Sequence, residues 1–86
     1  MKKINVLGIE LDRWEYGSCV ADWGKGDGWA TLYSIQSKIP SKGHATECLL
    51  RAKKYYEEQG MKVRGSVALN ERMSKLYKKV GIEEVK

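Results

Sequence analysis

The stretch Ile39-Pro40-Ser41-Lys42-Gly43-His44-Ala45-Thr46 runs from a turn straight into apolar residues at helical spacing. A helix starting there leaves its first backbone N–H groups without intrahelical partners, and the positive end of its dipole faces them. Gly43 lets a ligand approach the backbone, Ala45 keeps the next turn small, and Lys38 and Lys42 add positive charge. Those are the needs of a phosphate or pyrophosphate seat, although the same residues also make a plain loop and cap. Tyr77 shares a helical face with Met73 and Val80, where a core tyrosine belongs. Asn70 is placed to cap the helix that follows it. His44, the single histidine, stands at a helix start, where its charged form is disfavoured. It reads as a surface or phosphate-edge residue rather than a base. Cys19 and Cys48 lack metal-ligand spacing and have one histidine for company, so no metal site is expected and they read as buried, reduced thiols.

The net charge of +5 and the pI of about 9.3 suit an anionic partner, either nucleic acid or a phosphorylated small molecule. The alternative is that the lysines only solvate the surface. A single domain over residues 1–86 is expected. A domain of this size buries only about 60% of its unfolded surface, so a second copy covering apolar surface would help it. No apolar run approaches a membrane span, and Asn5, Glu10 and Asp12 interrupt the first apolar segment, unlike a secretory signal. A cytoplasmic protein is expected.

The elements that must position these groups follow from periodicity. Residues 4–11 read as a strand, 12–15 as a turn, and 16–23 as a second strand packing through Val20 and Trp23. Residues 24–28 form a glycine-rich turn, and 29–36 a third strand rich in aromatic and β-branched residues. Ala45, Cys48, Leu49, Ala52 and Tyr56 then recur at three-and-four spacing, and Gly60 ends that helix. Residues 62–69 read as a strand, and 71–80 as a helix burying Met73, Leu76, Tyr77 and Val80. Gly81 stops it before a short last strand in 82–85. The order β-β-β-α-β-α(-β) predicts an α+β fold, with a mixed sheet, an antiparallel N-terminal meander and one parallel strand pair. Ligands in such a unit bind beyond the carboxyl ends of the strands, where helices begin.

The segment NERMSKLYKKVGIEEV resembles the carboxy-terminal signature of the GNAT superfamily, the acyl-CoA-dependent N-acyltransferases. Asn70, Leu76, Tyr77, Lys79 and Gly81 match, and Ile82 stands where the family has Phe. The opening stretch is similar to the family's phosphate loop, with Gly43 and Ala45 at its last two fixed positions and Pro40 in place of Arg or Gln. The resemblance covers residues 29–85 and implies a GNAT-like fold that binds acetyl-CoA or CoA. It implies that backbone amides of Ser41, Lys42, Gly43, His44, Ala45 and Thr46 hold the pyrophosphate, while backbone groups near Ile35, Gln36 and Ser37 pair with the pantetheine arm. Asn70 would hydrogen-bond that arm or a water, and Tyr77 would protonate the departing thiolate.

The implied activity is transfer of an acetyl group to an unidentified amine by direct attack. The first strand and two helices that line the family's acceptor site have no counterpart here, so a minimal or truncated member is expected, completed by a homodimer partner. The third strand lacks the family's Glu, which leaves Glu10 and Asp22 as candidate bases. A catalytically inactive CoA-binding or protein-interaction module is the second reading. A nucleic-acid-binding domain using lysines with Trp14, Trp23 or Trp29 ranks last, since those aromatics sit beside turns rather than in a basic stripe.

Overall fold

The protein is described by a computed structural model over residues 1–38, 43–68 and 71–85. The elements are β1 (Lys2–Val6), β2 (Ile9–Tyr16), β3 (Cys19–Gly26), β4 (Trp29–Ser37), α1 (His44–Glu58), β5 (Lys62–Gly65), α2 (Glu71–Val80) and β6 (Glu83–Glu84). The six strands form one sheet in sequence order. β1 to β4 pair antiparallel, and β4–β5 and β5–β6 pair parallel. The α+β class, the meander and the parallel pair stand as expected.

The meander has four strands rather than three, and the turn expected over residues 12–15 is not there. The chain reverses earlier, at Leu7 and Gly8, whose φ angles of 51° and 83° are both left-handed. Two positive φ values in succession are what a tight two-residue hairpin requires. The Asn5 side chain accepts the Gly8 N–H at 3.0 Å and latches the turn. Asp12 to Glu15 therefore lie inside β2, and residues 4–11 are not one strand but two. The glycine-rich turn is confined to Asp27 and Gly28, leaving residues 24–26 in β3. The strand expected over 62–69 stops at Gly65.

Both helices pack on one face of the sheet. That face receives Trp14 from β2, Cys19, Ala21 and Trp23 from β3, and Ala30 and Leu32 from β4. α1 covers them with Cys48, Leu49, Ala52 and Tyr56, and α2 adds Tyr77 and Val80. Each fully buried large apolar side chain contributes about 1.5–3 kcal/mol. One polar chain runs through this packing. Trp14 Nε1 donates to the Tyr56 hydroxyl at 3.0 Å, and that hydroxyl donates to Asp12 Oδ2 at 2.7 Å. Lys25 Nζ lies 3.4 Å from the same oxygen, so the buried carboxylate has a counter-charge. Among the described residues, no helix is long and apolar enough to cross a membrane.

Candidate functional site

β4 changes character along its length. Trp29 to Leu32 pair with β3 on one side and with β5 on the other. The last bond to the parallel neighbour is Ser66 N–H to Leu32 O at 2.9 Å. Beyond it β4 continues through Ser37 with only β3 beside it among the described residues, and its other edge makes no ladder bond to them. A β-bulge at Tyr33 falls at the same point: Trp23 pairs with Leu32 while Asp22 pairs with Ser34. The extra residue shifts the alternation by one. It turns Ile35 and Ser37 towards the helices and Ser34 and Gln36 away.

A cleft of about 310 Å³ opens between this free end of β4, the start of α1 and one face of α2. Ile35, Ala45, Met73 and Leu76 give it apolar walls, and Ser37 and Thr46 add hydroxyls. Arg72, Lys75 and Lys79 line it from α2 at helical spacing, three cations on one stripe. Lys75 is 3.4 Å from Glu71, both side chains being well exposed. Arg72 and Lys79 have no acidic partner within ion-pair distance among the described residues.

At the head of α1, Gly43 is the N-cap with φ 73°, and no side-chain hydrogen bond caps the helix. The first intrahelical bond is Glu47 N–H to Gly43 O, at 3.2 Å. The preceding amides of the first turn have no intrahelical acceptor, and the dipole adds positive potential beside the three cations. The arrangement suits a bulky anion joined to a slender, partly apolar tail. The walls supply cationic and hydrogen-bond donors, and no carboxylate of the described residues lines the cleft.

The expected site residues divide as follows. Ile35, Ser37, Gly43, Ala45 and Thr46 line the cleft. Gln36 lies on its rim strand, with its side chain on the opposite face. His44 packs its ring on Gly17, and its Nδ1 accepts the Ser18 N–H at 3.0 Å, with the Ser18 hydroxyl 2.9 Å away. Ser41, Lys42 and Asn70 lie outside the described residues. Tyr77 is buried, its ring against Gly65 and its hydroxyl donating to Ser66 O at 3.0 Å. It thus stands at the point where the parallel ladder ends, behind the cleft wall. Burial pushes its pKa up.

Of the two candidate bases, Asp22 is held by Arg13 at 2.9 and 3.1 Å and by Ser34 at 3.3 Å on the sheet face away from the helices. Glu10 pairs with Lys3 at 3.4 Å near the sheet edge. Neither lines the cleft. Cys19 and Cys48 are buried and free, and the hydrogen bond that Cys48 donates to Cys19, with burial, pushes the Cys48 thiol up. Arg72, Lys75 and Lys79 line the cleft without being among the expected site residues; their signal was the helical spacing they share with Leu76. No family model, no curated protein and no solved structure matches the chain.

Proposed function

We propose that the chain is a GNAT-like domain that binds acetyl-CoA and passes the acetyl group to an amine. The observation that supports this most is the cleft in which a strand edge without a ladder partner among the described residues, an uncapped helix start and an α2 cation stripe converge. The pyrophosphate goes to the α1 amides with Arg72 and Lys79 as counter-charges. The pantetheine arm runs along the β4 edge over Ile35, Met73 and Leu76 and takes the hydrogen bonds that β5 leaves unmade. Its thioester ends near Ser66, beside the Tyr77 hydroxyl. The amine nitrogen attacks the acetyl carbonyl, the C–S bond breaks, the departing thiolate takes the phenol proton, and the nitrogen releases its extra proton to solvent, from which the Tyr77 phenolate is reprotonated. Tyr77 exchanges its bond to Ser66 O for one to sulfur in that step. Its raised pKa keeps the proton in place at neutral pH.

A second reading, CoA binding without turnover, is favoured by one observation: no carboxylate among the described residues lines the cleft to take the amine's proton. Titration of the chain with CoA and acetyl-CoA, read by thermal shift, tests the binding. Stabilisation is expected to grow with ligand concentration, as it must for a ligand that binds only the folded state. Lys79→Glu is expected to weaken CoA binding about ten-fold, the equivalent of ~1.4 kcal/mol. Unchanged affinity would remove the α2 stripe from the site. With binding established, acetyl transfer to a panel of amines separates the two readings, and Tyr77→Phe is expected to slow transfer while CoA affinity holds.

A further inference from the structure

The helices cover one face of the sheet and leave the other open. Trp14 and Trp23 pack on the helix side, whereas Trp29, one residue out of phase with buried Ala30, faces the open side. Two cations from β5 lie over its ring: Arg64 Cζ is 4.7 Å and Lys62 Nζ 5.5 Å from the ring centroid. Arg64 Nε donates to Thr31 Oγ1 at 3.0 Å, which fixes the guanidinium, and its terminal nitrogens bond to none of the described residues. Glu83 stands beside Arg64 in register and Asp27 lies in the adjoining turn, yet neither cation has an acidic partner within ion-pair distance among the described residues. Elsewhere on this face Lys2–Glu15, at 3.7 Å, and Arg13–Asp22, at 2.9 Å, are closed within the chain. The uncompensated positive charge therefore gathers at the β4–β5 end.

Next to that charge the sheet is bare. β3 presents Gly24 and Gly26 on this face, opposite Thr31 and Trp29. The Tyr33 ring lies flat across Gly24 and is 56% exposed. A Cβ at Gly26 would meet nothing within 4 Å, so there is room beside Trp29. On the far side Ile9 and Leu11 of β2 join Val6, Leu7 and Tyr33 around an apolar groove of about 190 Å³. Together these make a trough with a backbone floor, apolar and aromatic walls, and two cations along one rim. Glycine inside a strand marks a place where another molecule can approach the backbone closely.

We propose that this trough binds single-stranded nucleic acid, with one base stacked on Tyr33, another beside Trp29 over Gly26, and phosphates at Arg64 and Lys62. Unpaired bases are flat rings joined by anionic links, and an aromatic platform beside cations is what holds them without regard to sequence. The outer face of the Tyr33 ring is such a platform. Arg64, stacked and held through Nε, keeps its terminal nitrogens for a phosphate. An acidic peptide would answer the cations and leave the stacking surface unused. A second copy would bring the same patch, and with it two more uncompensated cations. The net charge of +5 steers a polyanion towards the chain. The cleft lies on the other side of the sheet, so this surface works without acetyl-CoA.

Fluorescence anisotropy of the full chain with labelled oligouridylate and oligothymidylate, each of about ten nucleotides, tests the proposal. Binding is expected, and the tighter of the two names RNA or DNA as the source. Two phosphate contacts predict that log K falls against log salt with a slope of about −1.4 or steeper, and Arg64→Gln is expected to reduce that slope by about 0.7. Tyr33→Ala is expected to weaken binding about ten-fold, or ~1.4 kcal/mol, within the range for one stacked base. Gly26→Val fills the trough while its new Cβ meets nothing in the fold, so binding is expected to weaken with the unfolding midpoint held. Poly-glutamate, which has the charge without the rings, is expected to bind more weakly than either oligonucleotide. The proposal is overturned if neither oligonucleotide binds at low salt, if affinity is indifferent to Tyr33→Ala and Gly26→Val, or if poly-glutamate binds as tightly. CoA affinity of Tyr33→Ala reports on the cleft separately and is expected to be unchanged.

Discussion

Along β3, Cys19, Ala21 and Trp23 point to the helices and are completely buried. Val20, Asp22 and Gly24, one residue out of phase, point to the uncovered face. The first set meets α1, which brings four buried side chains to the contact. The second meets only its neighbours in the sheet: Asp22 reaches Arg13 and Ser34, and Gly24 lies under the Tyr33 ring. One strand thus carries a core on one side and an open face on the other. Folding free energy resides on the helix side, because apolar area leaves water there.

The sharpest way to break this contrast is to truncate one aromatic on each side. Trp23→Ala removes a completely buried side chain from between β3 and Tyr56. The expected cost is about 3–5 kcal/mol, which leaves a small domain close to unfolding. Tyr33→Ala removes a ring that is 56% exposed, and about 0.5 kcal/mol or less is expected for the single chain. Urea unfolding of the two variants measures both. Equal costs would mean that the uncovered face also supports the fold.

This division was legible in the sequence for the helices and not for the strands. The recurrence of Cys48, Leu49, Ala52 and Tyr56 sits within one stretch of chain, and the structure buries those four. The β1–β2 turn was not legible, because Leu7 has to take a φ of 51° that its residue type disfavours, and no Asn-Gly or Asp-Gly pair marks it. Asp12 and Arg13 looked like turn residues for the same reason. Their charges are tolerable in a strand only because Lys25 and Tyr56 meet one and Asp22 meets the other, and those pairings depend on register.

For the site, Gly43 and Ala45 were visible as a helix start, whereas the orientation of Gln36 was not. Alternation counted from Leu32 puts Ser34 and Gln36 towards the helices; the bulge at Tyr33 reverses this and sends Ile35 and Ser37 there instead. Nothing in the local residue pattern announces that extra residue.

Polar contacts on the two sides give a smaller version of the same contrast. Tyr56→Phe leaves Trp14 Nε1 without its acceptor and leaves Asp12 Oδ2 with Lys25 alone. The opposite oxygen, Asp12 Oδ1, is already buried without a partner, as is Nε1 of Trp23, the residue paired with Asp12 across the strands. A carboxylate so placed has little to fall back on, and a loss of about 1–3 kcal/mol is expected. Arg13→Ala breaks the ion pair to Asp22 on the uncovered face, where the Arg13 side chain is partly in water. There the expected loss is at most ~1 kcal/mol and shrinks with added salt. Unfolding midpoints at low and high salt distinguish the two, since only the second contact is open to screening.

A last effect concerns the tyrosine nearest the proposed thioester, and it depends on pH. Burial raises the pKa of both Tyr56 and Tyr77 in the folded chain, whereas unfolding returns each to ~10. Below that pH both states hold the phenol protons and stability does not change on this account. Above it the unfolded chain releases protons that the folded chain retains, so stability falls as pH rises. Tyr77→Phe removes one of the two groups. At neutral pH it is expected to cost about 0.5–1.5 kcal/mol for the bond to Ser66 O. The deficit should then narrow as pH climbs past ~10, because the variant has one fewer proton to lose. Urea midpoints of both chains from neutral to alkaline pH give the comparison. A deficit that stays constant would mean that the Tyr77 hydroxyl titrates as it does in water. It would then belong to the open side of the contrast, and the packing against Gly65 would not be what holds its proton.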